Sequence, residues 1–356
     1  MIKLSALGDV IHTIPSLAAL RSAFPHAHIT WVVEEDASDL ILNHPACDRV
    51  LVSYRKRWVR NLKKRDSIGR TIGEIRSFLS TLRDRSYDVA IDFHGLFKSA
   101  LIMGLVRAER KIGYRSLQEL SGIFYGEKIP EDMEKHAVDR YLDFIRYLGF
   151  SGQETVFTLA LTDRERQRAR FILHRNGILE GESFVAVNVV ALWETKLWDD
   201  EKFAALADRI VLELRKKVVF TGGKDRMPID KILSRMTYQA VNVAGSTTLR
   251  ELACLYEQAD VVVSTDSGPM HLSAAVGTPT VALFGPTDPL RTGPYGKGHV
   301  IVRAGLPCSP CFLKSCETRN CMKSITVEAV FEAVAHLLNG ESGMQRRRDS
   351  DGYVAL

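Results

Sequence analysis

Two α/β units of the doubly wound, parallel-sheet type are what this sequence predicts, and three observations carry the prediction. Short apolar runs such as Phe184-Val-Ala-Val-Asn188, Lys217-Val-Val-Phe-Thr221 and Asp260-Val-Val-Val263 have the length and β-branched content of strands buried on both faces. Such runs alternate with segments carrying apolar residues at helical spacing, with polar or glycine-containing turns between them. The alternation breaks at Gly149-Phe-Ser-Gly152 and restarts beyond it. We read 1–157 as one unit, 158–339 as a second, and 340–356, with Arg346-Arg-Arg348 and few apolar residues, as a disordered tail.

The totals agree. A chain of 356 residues suits two domains of roughly 150 residues each. The 48 basic against 43 acidic residues fit an acidic small ligand or an anionic surface, and no nucleic-acid motif is present. No apolar run approaches the ~20 residues that cross a bilayer, and Met1-Ile-Lys-Leu-Ser5 lacks the apolar core of a signal peptide. The expectation is a cytoplasmic protein with mostly reduced thiols.

In order, Ile2-Lys-Leu4 reads as the end of a first strand, so that either the sheet tolerates a stub or a few residues precede Met1. The Ser5-Ala-Leu-Gly-Asp9 turn then leads into a helix whose buried face carries Val10, Ile14, Leu17 and Leu20. Strands follow at 29–33 and 49–52. The basic run Arg55-Lys-Arg57, continuing through Arg60, Lys63, Lys64 and Arg65, reads either as a solvated face or as a cationic rim, with Trp58 placed for stacking. A helix at 72–85 precedes the strand Tyr87–Asp92, which delivers Phe93-His-Gly-Leu-Phe-Lys98 to its carboxyl end. Lys111–Arg115 is a short strand and turn, and His136 opens a helix on which Arg140 lies four residues on.

The second unit begins with a charged helix, 163–175, and continues with the strand 184–188, a helix at 200–214 and the strand 217–221. Thr248-x-x-Glu251 is a capping box for the next helix. Strands at 260–263, 279–284 and 300–302 and a final helix at 326–338 complete it.

Within that order one stretch stands out. Asp266, Ser267 and Gly268 follow a buried strand, Pro269 sits where a first helical turn accepts proline, and His271 continues the helix. Ligands of open α/β sheets lie beyond the carboxyl ends of the strands, and unpaired helix N–H groups attract phosphate. A phosphorylated ligand is therefore expected. The fingerprints G-x-G-x-x-G, G-x-x-x-x-G-K-[ST] and G-x-S-x-G are all missing from the sequence, which argues against a dinucleotide dehydrogenase, a P-loop kinase and an α/β hydrolase.

The motifs Lys3-Leu-Ser-Ala-Leu-Gly-Asp-Val-Ile-His-Thr-Ile-Pro15, Trp193-Glu-Thr-Lys-Leu-Trp198, Asp266-Ser-Gly-Pro-Met-His271 and Phe284-Gly-Pro-Thr-Asp288 closely resemble the bacterial lipopolysaccharide heptosyltransferase family, glycosyltransferase family 9. The resemblance runs from Lys3 to about Leu338. It implies a GT-B fold, two Rossmann-like lobes facing across a cleft, with acceptor bound by the first and nucleotide-sugar donor by the second. It also implies inverting transfer of heptose from ADP-heptose to the lipopolysaccharide inner core, most like addition of the first heptose, with no cofactor. Matched residue by residue, Asp9 falls at the catalytic base and Lys196 at the residue that neutralises the departing diphosphate. Thr195, Asp266, Ser267, Gly268, Pro269 and His271 fall at the donor site, with Asp225 near its ribose contact. Lys98, Arg115, His136 and Arg140 fall in segments that contact the acidic acceptor. The chain departs from the pattern at Val189-Val190 and Leu192, where proline, glycine and a basic residue are usual.

Cys308, Cys311, Cys316 and Cys321 read either as a four-thiolate zinc site of no catalytic role or as reduced thiols. The alternatives in other classes are a nucleotide-sugar epimerase, which would consume donor alone, and a non-catalytic binding protein. A lipid-linked acceptor would bring the protein into peripheral contact with the inner membrane, with the basic run as the contact.

Overall fold

The computed structural model describes residues 1–64, 67–115, 122–152, 155–340 and 353–355. The chain forms two compact units, Met1–Ala160 and Leu161–Leu356. The expected tail falls largely on 341–352 and 356, outside the described residues, but Tyr353–Ala355 is a strand.

In the first unit the strands are β1 (Thr30–Glu34), β2 (Arg49–Ser53), β3 (Tyr87–Ile91), β4 (Ala108–Tyr114) and β5 (Glu127–Ile129). β1 pairs with β2, and β3 with β4 and then β5, all parallel. The two sheets are joined by the stub at the start of the chain. Ile2 bridges Val32 on one side and Asp92 on the other, and the Lys3 and Glu34 N–H groups donate to the Val32 and Leu4 carbonyls. The stub is thus too short to be a strand of its own and still holds the centre of the sheet. Buried Ile2, Leu4, Val32, Leu51 and Ala90 pack there against Ile102 and Met103.

The second unit holds β6 (Phe184–Asn188), β7 (Lys217–Thr221), β8 (Val241–Asn242), β9 (Val261–Thr265), β10 (Thr280–Leu283), β11 (His299–Arg303) and β12 (Tyr353–Ala355). They form one sheet in the order β12-β11-β10-β9-β6-β7-β8, every pair parallel. β6 and β9, at its centre, are buried at every position. That double burial is why they read as unbroken apolar runs rather than alternating ones. The order reverses at β6–β9, a switch point where an open α/β sheet places its ligand crevice.

Helix starts were legible where a side chain caps them. Thr162 and Thr248 each accept the N–H three residues on, and Glu165 and Glu251 return the bond, as capping boxes do. Arg55–Lys63 and Phe97–Leu105 are helices that the basic run and the post-strand turn concealed.

Candidate active site

Asp9 is the third residue of the helix Leu7–Ala23, one turn beyond the stub. Its Oδ2 accepts the Ala6 N–H at 3.1 Å, which caps the helix, and its Oδ1 accepts the Tyr141 hydroxyl at 3.1 Å. The Lys3 ammonium lies 3.8 Å from Oδ1, with the lysine side chain 4% exposed and the carboxylate 39% exposed. Burial pushes the Asp9 carboxyl up, but the Lys3 charge, His94, the Ala6 N–H and the Tyr141 hydroxyl outweigh it and hold it below the usual carboxylate range. The result is an ionised carboxylate that is still open to solvent.

Beside it, Asp92 at the end of β3 is fully buried and accepts from the His94 N–H at 2.8 Å, the Gly95 N–H at 3.3 Å and the Tyr125 hydroxyl at 2.7 Å. These bonds fix the turn that carries His94. Burial, followed by the Lys3 and Lys98 charges, lowers the His94 imidazole to about 3, and neither buried ring nitrogen has a hydrogen-bond partner among the described residues. The unfolded chain therefore binds this proton near pH 6.5 and the folded one only near pH 3. The stability contribution is complete above pH 6.5 and is lost as pH falls toward 3. Urea unfolding across that window is expected to show a steeper decline for the wild-type chain than for His94→Gln; identical slopes would refute it.

The acceptor candidates scatter. Lys98 donates to the Ser5 hydroxyl at 2.8 Å and lies 4.0 Å from buried Glu34, which Arg55 also engages at 2.8 Å. Arg115 is exposed. His136 is the N-cap of the helix Ala137–Tyr147, accepting the Val138 N–H and meeting the His12 ring edge-on. Arg140 is buried and bonded to Glu131 at 2.9 Å, so its charge is already balanced.

The basic run is not a bare rim. Arg55 pairs with Glu34, Lys56 with Asp36 at 2.5 Å and Arg57 with Glu74 at 3.3 Å, while Arg65 lies outside the described residues. Trp58, expected to stack on a ligand, is buried with its Nε1 donating to Glu74 at 3.0 Å. Amphipathic spacing turned that ring into the core between two helices.

In the second unit, Lys196 ends a short 3-10 turn, Glu194–Lys196, and its ammonium sits 2.6 Å from Asp266 Oδ2. Thr287 donates to the same oxygen at 2.5 Å. Asp266 thus holds the lysine. The Lys196 ammonium also lies 4.5 Å from the centre of the Trp193 ring, and Lys314 lies 5.4 Å from it. Lys196 is 16% exposed and Asp266 4%, so their pairing is sheltered from water.

The helix Gly268–Ala275 begins immediately after, with Ser267 extended at its N-cap and Pro269 in the first turn. At its start Pro269 has no N–H to leave unpaired, and the Met270 N–H donates to the Ser267 carbonyl at 3.1 Å. Asn188, at the end of β6, ties this turn down by donating to Ser267 Oγ at 3.0 Å, Ser264 Oγ at 3.1 Å and the Val190 carbonyl at 3.1 Å. Of the positions that depart from the family pattern, Val189 packs in the core and the Val190 carbonyl accepts this bond and one from Thr265, while Leu192 is exposed.

Not every donor candidate offers its side chain. Thr195 is buried with its hydroxyl given to the Leu313 carbonyl at 2.7 Å, and His271 is buried in its helix. Asp225 is exposed and accepts the Met227 N–H at 3.0 Å, just ahead of the helix Met227–Leu233. The four-thiolate site is not assembled. Cys308 and Cys311 are exposed while Cys321 is buried, and among the described residues no group of three or more His, Cys, Asp or Glu side chains is placed to hold a metal ion.

Sequence reasoning passed over Lys3, Tyr141, His94, Asn188 and Thr287. The lysine inside the apolar stub, the histidine after β3 and the threonine of the Phe284–Asp288 motif were visible signals; Tyr141 and Asn188 are brought in by elements distant in sequence.

The model of glycosyltransferase family 9 (heptosyltransferase) matches residues 75–322, more than half of the chain. Lipopolysaccharide heptosyltransferase 1 of Pseudomonas aeruginosa is 31% identical over 328 residues, covering 89% of this chain and 86% of that protein. The solved glycosyl transferase family 9 protein from Veillonella parvula superposes with a TM-score of 0.80 at 24% identity, covering 96% of both chains. The structure of Escherichia coli heptosyltransferase WaaC with ADP gives 0.75 at 25% identity, over 94% of this chain and 98% of that one. The GT-B fold implied by the motifs is therefore present, and this chain belongs to glycosyltransferase family 9, the heptosyltransferase family.

Proposed function

We propose that the protein transfers a heptosyl group from ADP-heptose to the inner core of lipopolysaccharide, with inversion at the anomeric carbon and Asp9 as the base. The observation that carries the proposal is the Asp9 carboxylate, ionised and 39% exposed at the first strand-to-helix turn. The acceptor hydroxyl gives its proton to Asp9 as its oxygen forms a bond to the anomeric carbon. On the opposite face the bond from that carbon to the β-phosphate oxygen breaks, and its electron pair leaves with ADP. A single displacement of this kind inverts the centre.

The leaving diphosphate needs positive charge, which Lys196 and the N–H groups at Ser267 and Gly268 supply in this reading. Asp266 keeps the lysine in place, and Asp225 reaches the ribose. Lys98, Arg115, His136 and Arg140 are the acceptor-side candidates, of which Arg115 is exposed. No step is routed through a metal or cofactor.

Turnover with ADP-heptose and a truncated inner-core acceptor, run beside ADP-glucose and UDP-sugars, tests the reading. Heptose transfer only when both substrates are present is expected. Donor consumed without acceptor would establish the epimerase alternative instead, and no transfer from any donor would leave a binding protein. Peripheral contact with an anionic membrane would use exposed Arg60 and Lys63 beside exposed Val59 and Leu62. Salt-sensitive sedimentation with phosphatidylglycerol vesicles is the expected result, and its loss in Arg60→Glu/Lys63→Glu would locate the contact; sedimentation unchanged in that variant would exclude this surface.

A further inference from the structure

We propose that Lys3 and Tyr141 are positioning residues for Asp9, together pinning the Oδ1 edge of its carboxylate so that the open edge meets the acceptor hydroxyl in a single orientation. The inference rests on Asp9 being the base.

An ammonium in the middle of a sheet is costly unless compensated, and a leucine would pack in the same place. Lys3 is compensated by a directed set of contacts. Its Nζ donates to the Phe93 carbonyl at 2.9 Å and to the Tyr141 hydroxyl at 2.6 Å. A lysine ammonium has donors and no lone pair, so the phenol must accept from it and send its own proton elsewhere. The partner within reach is Asp9 Oδ1 at 3.1 Å. The chain of bonds therefore has one sense, from ammonium to phenol to carboxylate.

The phenol cannot swing away. Its ring lies 4.3 Å from the Lys3 ammonium and meets the Phe93 ring edge-on, and the residue is buried. The Ala6 N–H holds the other oxygen at 3.1 Å. Both oxygens are thus fixed from the protein side while the group stays 39% exposed. The other ionisable groups in this neighbourhood are His94, in the turn after β3, and Lys98, on Phe97–Leu105, which act on Asp9, and Asp92, Glu131 and Arg140, which act on Lys3. None of these is placed to replace the phenol.

The test is the pH profile of kcat/KM for the wild type, Tyr141→Phe and Lys3→Met, with Asp9→Asn as reference. Removing either partner raises the carboxyl, so the acid limb is expected to move up by about 1 pH unit in Tyr141→Phe and by about 1–3 units in Lys3→Met, with donor KM unchanged. A uniform loss with an unmoved acid limb would mean that both residues are merely structural and would overturn the proposal. Should Lys3→Met fail to fold, Tyr141→Phe, which loses one oxygen, decides alone. If its turnover is too slow for a profile, the 13C titration of the Asp9 carboxyl, assigned against Asp9→Asn, reads the same shift, and an unmoved midpoint refutes it. Full turnover by Asp9→Asn would instead remove the base assignment, a separate outcome.

Discussion

Asp9→Asn is expected to lower transfer by about 10²–10⁴-fold, the usual contribution of general base catalysis, while leaving ADP affinity unaltered. The amide keeps the size of the side chain, and its oxygen can still accept from Tyr141 or Ala6, which hold the carboxylate at 3.1 Å each. What it loses is the basicity proposed to take the acceptor's proton. Steady-state kcat for transfer, set beside calorimetric titration with ADP, separates the two effects. A variant with wild-type kcat would remove Asp9 from the chemistry, and one that loses ADP binding would assign it to the donor.

Lys196→Met is expected to act on both binding and stability, because the side chain proposed to hold the diphosphate also pairs with Asp266. A charged hydrogen bond to the diphosphate contributes ~1.5–3 kcal/mol, or roughly ten- to a hundred-fold in ADP affinity. The same change strands Asp266, 4% exposed, without the cation 2.6 Å away. Removing one partner of a buried pair costs about 3–5 kcal/mol of folding stability, with Thr287 moderating the loss through its bond to Asp266. The double variant Lys196→Met/Asp266→Asn separates these contributions. Urea denaturation is expected to show most of the stability restored, and ADP titration to show affinity still reduced. Recovery of both in the double variant would mean that Lys196 serves Asp266 alone and not the diphosphate.

Elements were legible in the sequence where burial is one-sided or complete. The charged helix 163–175 matches Asp163–Arg175, and the strands 184–188 and 217–221 match β6 and β7, whose short length and β-branched content mark an unbroken apolar run as a strand rather than a helix. The helix Arg55–Lys63 was ambiguous because six of its nine residues are polar or charged and a solvated face has no apolar stripe to read. Its single deeply buried ring, Trp58, was misjudged for the same reason.

The sequence by itself determined the two α/β units, the strand-to-helix turn at Asp266–His271 and, through four motifs in order, the family. Those features depend on residues adjacent in the chain. The tertiary structure decided how each side chain is used. Asp9, Lys3 and Tyr141 meet across 138 positions of sequence, Lys196 is committed to Asp266, and Thr195, Trp58 and Arg140 spend their polar groups inside the protein. The physical reason is that a hydrogen bond or ion pair is satisfied by whatever lies within about 3 Å, and in a doubly wound sheet those neighbours come from strand ends and helices far apart in the chain.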